Sequence, residues 1–237
     1  MSDREPAVSG STGVSSPPAV VDAFLQDVAA LAPLGSGRRL IFAMDATASR
    51  EPTWGRACVI QAEMFDVAAR LGGLAVQLVY YRGAECRASA WLAEPTALRR
   101  LMGLVSCQSG ETQIGRVLGH TLVQARKERV GALVFVGDCI EEPADPLYGQ
   151  AGALGIMGVP VFLFHEGRDR TAFATFQQIA RLSGGACCRF DANSADQLRH
   201  LLGAVAAYVA GGWPAFEAYR AGKPGPVALL SRQAGPI

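Results

Sequence analysis

The stretch LIFAMDATAS, residues 40–49, decides how this chain folds. Its first half, Leu40–Met44, is continuously apolar, which predicts a strand buried on both faces, as in a parallel sheet covered by helices. Asp45, Thr47 and Ser49 follow at alternate positions, where that strand must end. Three hard oxygen ligands on one turn suit a divalent cation such as Mg²⁺.

The composition is that of a chain with a substantial buried core. A length of 237 residues fits one main domain with shorter segments at its ends. Half of the residues are apolar and only 18% are charged, which favours a well-buried sheet. The 22 Lys and Arg residues balance the 21 Asp and Glu residues without forming a basic stripe. Nucleic acid is therefore not an expected partner.

The chain divides by composition into four segments. Residues 1–18 are rich in Ser, Gly and Pro and are predicted to be disordered, with no secretory signal. Residues 19–37 are predicted to form an amphipathic helix and a linker. We expect this helix to dock on the main body, although a partner-binding helix has the same pattern. Residues 38–212 form the main domain. Residues 213–237 are predicted to form a tail, and we expect its aromatic start to pack on that domain and its end to fray.

Two features indicate a cytoplasmic protein that does not cross a membrane. The longest apolar segment, Ala153–Phe164, is interrupted by two glycines and a proline, so no membrane span is expected. The cysteines form no C-x-x-C pair, so a structural zinc site has no sequence support. Since no export signal is expected, reduced thiols in a cytosol are the better interpretation. The six cysteines are Cys58, Cys86, Cys107, Cys139, Cys187 and Cys188.

Strand and helix patterns alternate along the main domain. The predicted strands are residues 40–44, 74–81, 86–91, 132–136, 159–164 and 186–190. One predicted helix runs from Pro52 to the stop at Gly72-Gly73, and another from Ile114 to the basic turn 126–129. The other predicted helices are residues 95–105, 147–157, 171–182 and 195–209. The short turn at Gly83 can join only antiparallel neighbours, which places a hairpin at one edge. The predicted class is therefore α/β: a doubly wound, mostly parallel six-stranded sheet with one antiparallel edge strand and helices on both faces.

Three separated segments meet at one crevice of this predicted sheet. In a strand order of 3-2-1-4-5-6, ligands bind beyond the carboxyl ends of the first and fourth strands, where the order reverses. Asp45 follows the first strand and Asp138 follows the fourth. Thr112 opens the helix that feeds the fourth strand.

These residues resemble the von Willebrand factor A domain. The family's metal-ion-dependent adhesion site (MIDAS) has the pattern D-x-S-x-S, a distant Thr and a distant Asp. Here the pattern is Asp45-x-Thr47-x-Ser49, then Thr112 after Gly110-Glu111, then Asp138 after an apolar strand. The likeness covers roughly residues 38–211. One departure is Thr47, where the family usually has Ser; the hydroxyl is kept but gains a methyl group.

The resemblance implies a site and a function. Thr47, Ser49 and Thr112 would bind a divalent cation through their hydroxyls, and Asp45 and Asp138 directly or through water. Mg²⁺ is the default ion, with Mn²⁺ and Ca²⁺ as alternatives. In this family the ion bridges to an Asp or Glu carboxylate of a partner protein. Intracellular members often act as adaptors beside ATPases or in multi-protein assemblies, and we expect this chain to be a bacterial, cytoplasmic member of that kind.

Two other functions stay open from the sequence. The first is a structural subunit that keeps the fold without a metal. The second is a metal-assisted hydrolase that uses Asp45 and His165, although no nucleotide-binding or nucleophile motif is present. A dehalogenase-type phosphatase would need a second Asp where Thr47 stands.

Each candidate residue also has an ordinary structural explanation. Ser49 and Thr112 precede helices and could be N-caps, and Asp45 and Asp138 could be turn residues. Thr47 could be an ordinary loop residue. Residues near the site also have expected roles. We expect Glu141 and Glu142 to form a solvated loop, His165 to pack at the rim, and Cys187 and Cys188 to lie in the core. Cys139 lies beside Asp138, so its oxidation could disturb the site.

Overall fold

A computed structural model describes residues 39–52, 54–55, 74–190 and 195–221. The predicted disordered start, the amphipathic helix before the main domain, and most of the helix after Pro52 lie outside the described residues. The end of the tail, residues 222–237, also lies outside them.

The described strands form one six-stranded sheet. They are β1 (Arg39–Asp45), β2 (Ala75–Arg82), β3 (Glu85–Leu92), β4 (Ala132–Gly137), β5 (Val161–Glu166) and β6 (Cys187–Phe190). Their order is β3-β2-β1-β4-β5-β6. β3 is antiparallel to β2, and the other neighbours pair in parallel. The predicted strand order and the antiparallel edge hairpin are therefore confirmed.

Helices cover both faces of the sheet. They are α1 (Pro95–Leu104), α2 (Ile114–Lys127), α3 (Ala144–Ile156), α4 (Arg170–Ser183) and α5 (Ala195–Ala221), with a short 3-10 helix over Ala48–Arg50. Residues of α1 and α5 pack into one apolar cluster, and residues of α2, α3 and α4 into another. Each cluster includes one set of side chains from β1 and β4. The doubly wound arrangement is thus confirmed.

β1 lies in the middle of the sheet and is buried on both sides. Leu40, Phe42 and Met44 belong to the cluster under α5, whereas Ile41 and Ala43 belong to the opposite cluster. Because side chains alternate along a strand, the next residue, Asp45, points to the same side as Ala43. The carboxylate therefore ends a strand with no solvent-facing surface.

Two predicted boundaries shift for local reasons. α3 begins at Ala144 rather than at Leu147, and its first turn contains Asp145, a charge that suits a helix N-terminus. β5 begins at Val161 rather than Val159, because the Val159 N–H donates to Leu154 O at the end of α3 and Pro160 has no N–H to donate.

α5 continues beyond the Gly211-Gly212 pair where the helix was expected to end. Gly212 has φ of 65°, and the chain kinks there before it turns helical again. Beyond the kink, Phe216 is fully buried in the cluster under β1, so the predicted packing of the tail's aromatic start is seen at that residue. Among the described residues, none of the helices combines the length and apolar content needed to cross a membrane.

Candidate metal centre

Asp45 is a fully buried carboxylate at the carboxyl end of β1. Its Oδ1 accepts a hydrogen bond from the Thr47 N–H at 2.8 Å, and its Oδ2 accepts one from the Tyr81 hydroxyl at 2.9 Å. Burial raises the pKa of Asp45, and the nearby Asp138 adds to this, while the Thr47 hydrogen bonds and the Arg50 charge act in the opposite direction. A negative charge here needs more positive charge than the fold supplies.

Asp138 brings a second carboxylate to the same place. It follows β4, the parallel neighbour of β1, so the two strand ends carry their acidic residues side by side. Asp45, Asp138 and Cys139 each place a ligand atom within 4.8 Å of the other two. Asp138 Oδ1 is buried and accepts no hydrogen bond among the described residues. An orphaned carboxylate oxygen beside a second carboxylate fits a bound cation.

Thr47 and Ser49 lie together beside this pair. Their hydroxyl oxygens are 3.0 Å apart, with Thr47 buried and Ser49 exposed. Ser49 lies inside the 3-10 helix rather than at its N-cap, and the side chain of the N-cap residue, Thr47, makes no capping hydrogen bond. The capping explanation therefore finds no support in these contacts.

Thr112 is bound to the loop that follows Asp138. Its hydroxyl accepts a hydrogen bond from the Glu141 N–H at 2.9 Å, and its own N–H donates to Glu141 Oε2 at 2.8 Å. The N-cap of α2 is Gln113, so Thr112 does not cap that helix. The same segment is also joined to the Asp45 loop, because the Gln108 N–H donates to Ala46 O at 3.0 Å. All three predicted segments thus contact one another.

The expectation that Glu141 and Glu142 form a merely solvated loop is wrong. Besides the Glu141 contacts, the Glu142 carboxylate accepts hydrogen bonds from the Ile114 and Gly115 N–H groups. These are first-turn donors of α2 that have no partner within the helix, and a negative charge is favourable at that end. The acidic pair therefore fastens the α2 N-terminus to the loop after Asp138.

Arg50 was missed as a site-forming residue. Its guanidinium is 1% exposed and donates to Glu166 Oε2 from Nη2 at 2.7 Å and from Nε at 3.1 Å. Nη1 donates to the carbonyl oxygens of Asp45 at 3.2 Å and Val136 at 3.3 Å. One side chain thus ties together the ends of β1, β4 and β5. The sequence signal that could have found this pair is the opposite charge of Arg50 and Glu166, each of which follows the end of a predicted segment.

Tyr81 is the other residue that the sequence pattern did not single out. It is fully buried at the end of β2, in direct register with Asp45. Burial and the Asp45 charge both raise the pKa of its phenol, so the hydroxyl stays a donor to that carboxylate. A signal was available, because the end of the second strand must lie beside the end of the first in this topology.

His165 is enclosed rather than exposed at the rim. Its ring is fully buried, it packs against Phe173 and Phe176, and its Nε2 lies 2.9 Å from Asp138 O. Burial lowers the pKa of His165, which keeps the ring neutral. These contacts agree with the packing role expected for His165, and the carboxylate of the next residue, Glu166, is bound to Arg50.

The two thiols near the site are protonated in the absence of a cation. Burial, reinforced by Asp138 and Asp45, raises the pKa of Cys139 to about 12. Burial raises the pKa of Cys107 to about 11, and the neighbouring Arg50 acts against this. Cys107 is not one of the three residues whose ligand atoms lie within 4.8 Å of one another.

Comparison with known proteins identifies the fold. No protein-family model and no curated protein sequence matches the chain. Among solved structures, an aerotolerance-related membrane protein from Bacteroides fragilis matches with a TM-score of 0.52 and 16% identity, over 69% of this chain and 98% of that one. The SpRpn10 VWA domain matches with a TM-score of 0.55 and 11% identity, over 69% and 93% of the two chains.

A third solved structure is a protein with an occupied metal site. Proximal thread matrix protein 1 from the mussel byssus, with a zinc-occupied MIDAS motif, matches with a TM-score of 0.56 and 13% identity. The match covers 71% of this chain and 45% of that one. At these identities the likeness establishes the fold alone. The chain has the fold of a von Willebrand factor A domain.

The Arg50–Glu166 pair is expected to be essential for stability. Arg50→Met leaves a buried Glu166 carboxylate unpaired and should lower the free energy of unfolding by about 3–5 kcal/mol. Arg50→Met combined with Glu166→Leu removes the orphaned charge and should recover part of that loss. Urea unfolding measures both. The exposed pair Arg39–Glu128 is the matched control, where Arg39→Met should cost less than about 1 kcal/mol. A double variant no more stable than Arg50→Met would contradict this account.

Asp45→Asn is expected to stabilise the protein when divalent cations are chelated. The raised pKa of Asp45 means that the folded chain holds this proton at higher pH than the unfolded chain, so stability falls as pH rises through that interval. At neutral pH the variant should gain roughly 1 kcal/mol, or about 2–4 °C in Tm, and the gain should vanish at acid pH. Thermal unfolding across pH measures this, with the exposed Asp145→Asn as control. A lower Tm for Asp45→Asn at neutral pH would refute it.

Proposed function

We propose that this protein binds a divalent cation through Asp45, Thr47, Ser49, Thr112 and Asp138, and uses the ion to engage a protein partner. The observation that carries the proposal is the buried Asp138 Oδ1, which accepts no hydrogen bond among the described residues and lies in a group with the buried Asp45. The sequence pattern of the five residues adds independent support, because it resembles that of a MIDAS apart from Thr47 in place of Ser.

The charges and donors of the five residues suit this role. Two carboxylates balance a divalent cation, while the hydroxyls of Thr47, Ser49 and Thr112 are neutral oxygen ligands. Thr112 Oγ1 accepts one hydrogen bond from Glu141 and keeps a second lone pair. A hard cation held by so few charged ligands retains coordination positions for water or an incoming oxygen. When bound, the ion would supply an attachment point for a carboxylate.

Mg²⁺ is the ion proposed for these five oxygen donors, and Mn²⁺ and Ca²⁺ are the alternatives. The partner would present an Asp or Glu, since a carboxylate oxygen completes the coordination of the ion. We propose an adaptor or complex subunit, acting in a bacterial cytoplasm, with an ATPase or another multi-protein assembly as its partner. The free thiols of the described residues fit a reducing compartment.

Cation binding is expected to stabilise the folded chain. At a Mg²⁺ or Mn²⁺ concentration of 100 Kd the free energy of unfolding should rise by about 2.7 kcal/mol. Asp45→Asn and Thr112→Val should each lose most of this gain, because they remove a carboxylate and a hydroxyl ligand. Calorimetric titration and thermal unfolding measure it. Thr121→Val, which removes a buried hydroxyl bonded within α2, is the matched control and should respond like the wild type. An equal change in stability with the cation in the wild type and in all three variants would refute the metal site.

Partner capture is expected to depend on the ion. Immobilised full-length chain should retain its partner from lysate in Mg²⁺, release it on chelation, and fail to capture it as the Asp45→Asn variant. Reloading the wild type with Mg²⁺ should restore capture, which separates the ion from general damage. The same partner in all conditions would instead favour a metal-free structural subunit.

A further inference from the structure

A soft ligand lies among the hard ones of the proposed centre. Cys139 Sγ is within 4.8 Å of carboxylate oxygens of both Asp45 and Asp138. β4 ends at Gly137, and the chain bends at Asp138. Because the alternation of an extended strand stops there, two consecutive side chains can face the same space. The five-residue pattern includes no thiol at this position.

We propose that Cys139 is a ligand of this centre and that its thiolate gives the centre an affinity for Zn²⁺ in addition to Mg²⁺. The inference rests on the proposed function, since it concerns the same site, and it adds a ligand and a class of metal. The donor set then contains one sulfur together with carboxylate and hydroxyl oxygens.

Ligand chemistry favours this assignment. Mg²⁺ prefers oxygen ligands and gains little from sulfur, whereas Zn²⁺ is borderline-soft and binds Cys, carboxylate and neutral oxygen ligands together. On binding, the Cys139 S–H bond breaks, its proton passes to solvent, and the sulfur electron pair forms the bond to zinc. The thiolate would thus contribute to zinc affinity and leave magnesium affinity almost unchanged.

The spacing is compatible with one ion. Zinc lies about 2.3 Å from a thiolate and about 2.0–2.2 Å from a carboxylate oxygen, so the ligand atoms of a tetrahedral ion are roughly 3.3–3.7 Å apart. The three residues of this chain lie within 4.8 Å of one another without an ion. A closure of about 1 Å at the widest pair would bring all three into contact with one ion. Rotation of side chains at the ends of strands can supply that movement.

Cobalt(II) spectroscopy and competition titrations test the inference on the full chain. Co²⁺ replaces Zn²⁺ and gives a sulfur-to-cobalt charge-transfer band only when a thiolate is a ligand. We expect that band in the wild type and in Cys107→Ser, and its loss in Cys139→Ser. Zinc affinity, measured against a chromophoric chelator, should fall roughly 10- to 100-fold in Cys139→Ser. Magnesium affinity should change less than about twofold, since serine keeps an oxygen at that position.

The outcomes separate this inference from the proposed function. Absence of the band in the wild type, its survival in Cys139→Ser, or its loss in Cys107→Ser each overturns the role of Cys139. If Mg²⁺ still binds and depends on Asp45 in that case, the proposed function stands. If the wild type binds no divalent cation, both fail. The wild-type spectrum and Cys139→Ala keep the test decisive if the serine variant does not fold.

Discussion

The main physical constraint at the carboxyl edge of the sheet is one buried carboxylate, Asp45 at the end of β1. Neither face of this strand is open to water, because each packs into an apolar cluster. The two hydrogen bonds that Asp45 accepts offset burial only in part, as its raised pKa indicates. A buried carboxylate beside a second one, Asp138, requires compensating positive charge if it is to stay ionised. A cation bound at the strand ends, as proposed above, would supply that charge.

Arg50 supplies part of this positive charge from within the protein. Its guanidinium donates to the carbonyl oxygens that end β1 and β4, the two strands that carry the carboxylates. Its pairing with Glu166 largely neutralises it, so it offsets the charge of Asp45 only in part. The residue therefore fixes the positions of the strand ends and leaves the centre anionic. Arg50 thus sets the positions of the strand ends, whereas Asp45 and Asp138 set the charge of the centre.

The sequence predicted the strand order, the class of fold and the convergence of Asp45, Thr112 and Asp138 because those depend on hydropathy and topology. Runs of apolar residues mark buried strands, and the topology of a doubly wound sheet brings certain strand ends together. It did not predict the Arg50–Glu166 pair, which joins residues 116 apart in the chain, or the docking of Glu142 on α2. Those contacts depend on register and side-chain direction, which local patterns do not encode. The helix beyond Gly212 was missed because Gly-Gly and Pro214 are stop signals that tertiary packing of Phe216 overrides.

The hydrogen bonds between the three segments determine what ion binding would cost. Gln108 bonds the Thr112 segment to the Asp45 loop, and Glu141 and Glu142 bond it to the loop after Asp138. Because these loops are already joined, an incoming ion has little backbone to order, and a preorganised site loses little entropy on binding. Affinity would then be decided by the desolvation of the ion and by the ligands that replace its water. For such a centre, adding a sulfur ligand changes which metals are held more than whether one is held.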